Sequence, residues 1–229
     1  MTSPTSYALA ASAGALALAL GVTAPVTAAP ADTTAQAMVS VFHGIPGATV
    51  DVYADGQRLL DDFKPGTVTK PQPLDAGTYD IQVYPADQGP GDGTPVVKKQ
   101  IKVAAGAEAT VAAHLSTGGD PQLTAYNDDV APVADGKTRL TVRHVAAAPA
   151  VDVRAGGQPI FVDLTNPNQE GAAVDAGTVN ADVVLANTDT VVIGPADLDL
   201  TSGTSTILYA WGSAQDDNLK LTPQVLDAQ

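Results

Sequence analysis

His43 and His144 are the side chains of this sequence best suited to chemistry, because each stands at the same place in two copies of one stretch. The first copy reads VSVFHGIPGATVDVYADGQ from Val39 to Gln57, and the second reads LTVRHVAAAPAVDVRAGGQ from Leu140 to Gln158. A small-residue loop with one proline, Pro46 or Pro149, follows each histidine, and then Val-Asp-Val with Asp51 or Asp152 at its centre. A histidine beside a carboxylate is the pairing used for general-base catalysis and for metal ligation. Strand parity separates the two groups here. His43 is in phase with Val39 and Val41, whereas Asp51 alternates with Val50 and Val52, and the second copy repeats the pattern. Side chains two apart share a face, so each histidine leaves with the core residues and each aspartate leaves opposite. His43, His144, Asp51 and Asp152 are therefore expected to be structural, with the imidazoles bonding the carbonyls of the loops behind them. No catalytic, cofactor-binding or metal-ligating residue is assigned.

Two further groups of residues could carry chemistry. His114 lies on a late strand whose second copy places Trp211 there, beside Tyr209. These rings could form a platform for a sugar or a peptide, or pack in a core, where large aromatics dominate burial. Acidic residues form the second group: Asp87 and Asp92 around a glycine loop, and Asn127, Asp128, Asp129 and Asp135 between the copies. Extracellular modules bind calcium weakly with such oxygens, although no EF-hand spacing is present. The sequence thus calls for no cofactor and leaves only weak calcium binding open. Gly136-Lys137-Thr138 is not a phosphate loop, because Ala131 stands where the first glycine must be. No GxSxG, HExxH or cysteine nucleophile occurs. A glycosidase using two aspartates is the remaining enzymatic reading.

The elements that must position these residues are strands. Apolar residues recur with period two, and Asp55-Gly56 between VDVYA and QRLL is a hairpin signal. Pro71 and Pro73 confine their segment to an edge strand or a loop. Strands are predicted over Thr78 to Tyr84, Val96 to Val103, Ala109 to Leu115 and Gln122 to Tyr126. The second copy predicts strands over Arg139 to Val145, Val151 to Arg154, Pro159 to Phe161, Val179 to Leu185, Thr190 to Ile193, Leu198 to Thr201, Ser205 to Trp211 and Leu219 to Val225. The motif Asp75-Ala-Gly-Thr returns at Asp175, so the duplication extends well past the opening stretch. Short strands with regular turn signals are the mark of a β-sandwich, and a repeat of this length is a pair of domains. The expected fold is all-β, with two tandem immunoglobulin-like antiparallel β-sandwich domains after a signal peptide. The boundaries expected are 1–28 for the signal peptide, 29–37 for a connector, 38–129 and 139–229 for the sandwiches, and 130–138 for the linker.

Composition narrows the setting. The 229 residues carry a formal net charge of -14 and no cysteine. An acidic surface repels nucleic-acid phosphates and anionic lipids. The apolar, charge-free run from Tyr7 to Val22, with Val26-Thr27-Ala28 behind it, reads as a signal peptide cleaved near Ala28. No second run of that kind occurs, so the mature chain is expected to have no integral membrane segment.

At these residues the chain resembles the bacterial secreted family called domain of unknown function 4397. His43, Val50-Asp51-Val52-Tyr53, Asp55-Gly56, Leu74, Ala76-Gly77-Thr78-Tyr79 and Pro85 match its pattern. The second copy departs at Arg154, Gly156 and Val179. The resemblance runs from Met38 to the C-terminus. It implies an immunoglobulin-like sandwich, export and an envelope or extracellular setting, and no catalytic residue. The expected function is a secreted or cell-envelope-associated, non-catalytic structural, adhesive or binding module. Its partner would be an extracellular or cell-wall ligand. A calcium- or glycan-binding module is the alternative.

Overall fold

The computed structural model describes residues 35–229, which fall within one compact unit. The expected signal peptide and most of the connector lie outside the described residues. No helix occurs among the residues described. The first copy supplies β1 (Ala37–Gly44), β2 (Val50–Ala54), β3 (Gln57–Phe63), β4 (Gln72–Leu74), β5 (Gly77–Pro85), β6 (Val97–Val103), β7 (Glu108–Leu115) and β8 (Pro121–Asn127). The second supplies β9 (Lys137–Ala147), β10 (Val151–Ala155), β11 (Gln158–Leu164), β12 (Gln169–Asp175), β13 (Gly177–Leu185), β14 (Val191–Leu200), β15 (Thr204–Ser213) and β16 (Lys220–Asp227).

Each copy closes into two four-stranded sheets. The sheets are β4-β1-β7-β8 and β3-β2-β5-β6 in the first, and β12-β9-β15-β16 and β11-β10-β13-β14 in the second. The all-β tandem sandwich is thus present, with one departure from a purely antiparallel sheet in each copy. β1 runs parallel to β7, and β9 runs parallel to β15. Period-two patterning says which face a strand buries but not which direction its neighbour runs.

The cores follow from the alternation. Val39, Val50, Val52, Val83, Ile101 and Val111 pack between the sheets of the first sandwich. Leu140, Val142, Val151, Phe161, Val183 and Leu208 do the same in the second. A third cluster joins Phe42, Ala112 and Tyr126 to Val145, Ile207, Tyr209 and Trp211. These residues are on the opposite faces of β1, β7, β9 and β15, so the two sheets containing them are covered on both sides. The result is four layers, with a seam between the inner two. Every residue of β15 is buried, as the unbroken run TSTILYAWGS allows in a strand covered on both faces. Gly66 borders the seam with φ +76, and a Cβ added there would lie 2.5 Å from Trp211 Cζ2.

The second copy departs from the strand predictions at two places. QEGAAVD pairs with β9 over seven residues as β12, although its Gly and Glu are poor strand formers. The strands predicted over Thr190 to Ile193 and Leu198 to Thr201 are one strand, β14. Register with β13 shifts there because Ile193 faces Val183 and Ala196 faces Ala181, which leaves Gly194 and Pro195 opposite Asp182. A bulge of this kind tolerates a proline that a regular ladder would not.

Candidate functional site

The histidines sit at the ends of the inner strands, facing the cores. His43 donates from Nε2 to the Ala48 carbonyl at 2.8 Å, and its Nδ1 accepts from the Ile45 amide at 3.4 Å. His144 repeats both contacts, with the Pro149 carbonyl at 2.8 Å and the Ala146 amide at 3.4 Å. Burial pushes both imidazoles below their ordinary pKa of 6.5, against the pull of the carbonyl bonds. Each ring therefore stays neutral, with one nitrogen donating and the other accepting, and each bridges a loop of its own copy.

Asp51 and Asp152 work on the other sheet. In each copy β2 or β10 meets its hairpin partner with a shift in register. Asp62 and Asp163, the extra residues, take positive φ of 49° and 52°. Asp51 accepts the Asp62 amide at 2.9 Å, and Asp152 accepts the Asp163 amide at 2.8 Å. Each aspartate satisfies a backbone donor that the bulge would leave unpaired. Asp51 also lies 3.5 Å from Arg58, whose side chain is half exposed. Neither aspartate shares a hydrogen bond with the histidine of its copy among the described residues.

The seam decides between the two readings of the aromatic residues. Tyr209 and Trp211 form no exposed platform, since both are buried in the seam. The Phe42 and Tyr209 rings stack at 4.0 Å between centroids. Trp211 Nε1 donates to Thr222 Oγ1 at 3.0 Å, and Thr222 Oγ1 donates to the Gly66 carbonyl at 3.1 Å. The parallel registers confirm that His114 and Trp211 are equivalent, because His114 faces Gly44 and Trp211 faces Val145. Two of the acids after β8 are engaged in ion pairs. Asp128 is buried and pairs with Arg143 at 2.6 Å, while Asp129 pairs with Arg139 at 3.1 Å. Among the described residues no three His, Asp or Glu side chains form a metal-binding group.

Arg143 is the residue that sequence reasoning missed. Its guanidinium donates to Gln169 Oε1 at 2.8 Å, Tyr209 Oη at 2.8 Å and Asp128 Oδ1 at 2.6 Å, and lies 4.4 Å from the Tyr126 ring centre. Thr110 Oγ1 donates to the other Asp128 oxygen at 2.9 Å, and Tyr209 Oη donates to Gln224 Oε1. Gln224 Nε2 then reaches Ser40 Oγ at 3.0 Å. Burial pushes the Tyr209 hydroxyl up to about 12, so it remains a donor. A signal for this network existed. Arg143 stands in the alternating strand where the first copy has Phe42, and a charge there with no solvent face needs a partner.

His114 closes the seam at one end. Its Nδ1 donates to the Leu115 carbonyl at 2.9 Å, and its Nε2 accepts from Thr124 Oγ1 at 2.9 Å. Burial lowers its pKa from 6.5 to about 4, aided by His144 and Lys99. Beside it the turns at 115–119, 147–149 and 213–216 surround a cleft of about 320 Å³.

The family model for a domain of unknown function (DUF4397) matches residues 37–154, just over half of the chain. The chain belongs to this family. The DUF4397 match takes in the whole first sandwich, β9 and all but the last residue of β10, so both Asp128 and Arg143 fall inside it. No curated protein matches the chain. A carbohydrate-binding module of family CBM26 from Eubacterium rectale Amy13K, solved in complex with maltoheptaose, is similar at 14% identity and a TM-score of 0.27, covering 85% of this chain and 97% of that one. A putative cell adhesion protein from Bacteroides ovatus ATCC 8483 is similar at 10% identity and a TM-score of 0.24, with coverages of 86% and 98%. Likenesses this low say nothing of a ligand.

Proposed function

We propose that this DUF4397 protein is a secreted or cell-envelope-associated, non-catalytic binding module, a rigid two-sandwich block that needs no resident cofactor. One observation supports this reading above the others: the side chains able to do chemistry are spent on holding backbone. His43 and His144 bridge loops, Asp51 and Asp152 cap bulges, and Arg143 and Asp128 neutralise each other in the seam. A glycosidase needs two carboxyl groups facing each other across a substrate cleft. Asp51 and Asp152 instead belong to different sandwiches, each turned onto its own bulge. Export is supported by the charge-free run from Tyr7 to Val22 and the small residues before Ala29.

Three measurements test the reading. N-terminal sequencing of protein from the producing cell is expected to begin at Ala29, and an intact Met1 in the cytoplasm would defeat export. The purified chain from Ala29 is expected to cosediment saturably with isolated envelope material from that cell. No saturable binding, or turnover of that material, would defeat the module reading. Added calcium is expected to leave the melting temperature unchanged, since a ligand of the native state must raise it.

A further inference from the structure

The cleft at the end of the seam is built from both copies. Its walls are the β7–β8 turn of the first sandwich and the β9–β10 and β15–β16 turns of the second. Its volume, about 320 Å³, is within the range of small-molecule sites, which favour domain interfaces. A gap between turns could be incidental, but these turns are held in place by polar side chains. His114 fixes the Leu115 carbonyl, and His144 fixes the Pro149 carbonyl. Asn166 Nδ2 donates to the Leu115 carbonyl at 2.8 Å and the Ala146 carbonyl at 2.6 Å, which ties the two copies together at the cleft wall. The third turn is anchored where the Ser213 amide meets Asn218 Oδ1 at 2.7 Å and the Ala214 amide meets the Ala147 carbonyl at 3.0 Å. Two of the three histidines of the chain thus hold walls of one cleft.

We propose that this cleft binds an uncharged, polyhydroxylated ligand the size of one or two sugar rings. The proposal rests on the reading of the chain as a binding module and gives that module a site and a ligand class. The lining chemistry selects the class. Gly118 and Gly119 carry no side chain at the cleft wall, while Thr117, Gln215 and Asp216 add a hydroxyl, an amide and a carboxylate. The Thr117, Gln215 and Asp216 side chains supply both donors and acceptors, as ligand hydroxyls that both donate and accept require. No lysine or arginine lines it, and Asp216 together with a net charge of -14 disfavours an anion. Its exposed polar groups disfavour a hydrocarbon chain, which would leave them unpaired. Preformed walls lower the ordering cost of binding, which a small polar ligand with few contacts needs most.

The test is a titration of the nitrogen-15-labelled chain from Ala29 with maltose, cellobiose, lactose and diacetylchitobiose, followed by amide chemical shifts. At least one sugar is expected to shift the amides of Gly118, Gly119, Ala148 and Gln215 saturably at millimolar concentration. The double substitution Thr117→Ala with Gln215→Ala is expected to weaken that binding at least tenfold at an unchanged melting temperature, since both side chains are exposed. The site is overturned if no sugar gives saturable shifts, if the shifts map to the outer sheets, or if a lysine-rich peptide occupies the cleft where the sugars do not. Cosedimentation with envelope material, run alongside, separates the failures. If the sugars fail while the wild-type chain still binds, only this site falls. Loss of both removes the module reading as well.

Discussion

Arg143 Nη2 sits 2.6 Å from Asp128 Oδ1 across the seam, with Asp128 just after the last strand of the first sandwich and Arg143 in the first strand of the second. Neither side chain reaches solvent, so each charge depends on the other for compensation. Removing one partner of such a pair is far more damaging than removing both. Asp128→Ala is expected to lower unfolding free energy by about 3–5 kcal/mol. Arg143→Met combined with Asp128→Leu is expected to recover most of that loss. Denaturant unfolding of the singles and the double gives the coupling directly. A double as unstable as the single would show that the pair does not act as a unit.

The histidines set an acid limit. His114 titrates at 6.5 when unfolded and at about 4 when folded, chiefly because of burial. The unfolded chain therefore takes up the proton first. Stability is full above pH 6.5 and declines as the pH falls toward 4, by about 3 kcal/mol at about 1.4 kcal/mol per unit. His43 and His144 are also depressed by burial and act in the same direction. Unfolding free energy measured from pH 7.5 to pH 4 is expected to fall steeply, and His114→Gln is expected to flatten the curve. An unchanged slope in that variant would place the acid sensitivity elsewhere.

Trp211 meets Gly66 so closely that a methyl group at Gly66 has no room, and the backbone there has φ +76. Gly66→Ala combines overpacking with a disfavoured conformation, together about 1–3 kcal/mol. Trp211→Ala removes the largest ring of the seam and is expected to cost about 3–5 kcal/mol. In the double variant the Gly66→Ala penalty is expected to shrink, because the clashing ring is gone. Equal penalties with and without Trp211 would rule out the steric account.

Each copy has a closed core of its own, so we propose that residues 38–129 and 139–229 each fold alone. Separated halves expose Phe42 and Tyr126 on one side and Tyr209 and Trp211 on the other. Both halves are expected to melt cooperatively, at lower temperature than the intact chain, and to associate when mixed. Calorimetry on the halves and their mixture tests this; a half with no cooperative melt would show that the cores are interdependent.

Much of the fold was legible because the inner faces follow a strict alternation. Val39, Val41 and His43 gave the direction of the core, and Asp55-Gly56 and the two prolines around Gln72 gave a hairpin and an edge. The seam was harder to read. Phe42 and Arg143 occupy the positions that alternation assigns to solvent, and a single sequence does not say that a second sheet covers them. The apolar runs Val111–Ala113 and Ile207–Trp211 were the available clue, since strands covered on both faces lose their alternation. The partner of Arg143 was harder to name than Arg143 itself, because Asp128 is fifteen residues away in sequence, on the far side of the linker. The cleft left no motif, because its lining is mostly backbone and small side chains.

The parallel pairing of β1 with β7 and of β9 with β15 settles which pole of the block each chain end occupies. The Gly106 amide bonds the Ala35 carbonyl just before β7 begins, and the Gln229 amide bonds the Val130 carbonyl in the linker before β9. Both ends of the described chain thus leave from the pole where β1, β7, β9 and β15 start. The turns at 115–119, 147–149 and 213–216 cap the opposite pole, where β7, β9 and β15 finish. A tag or tether joined at either end therefore projects away from those turns, and the chain can be immobilised by either terminus with that pole facing outward.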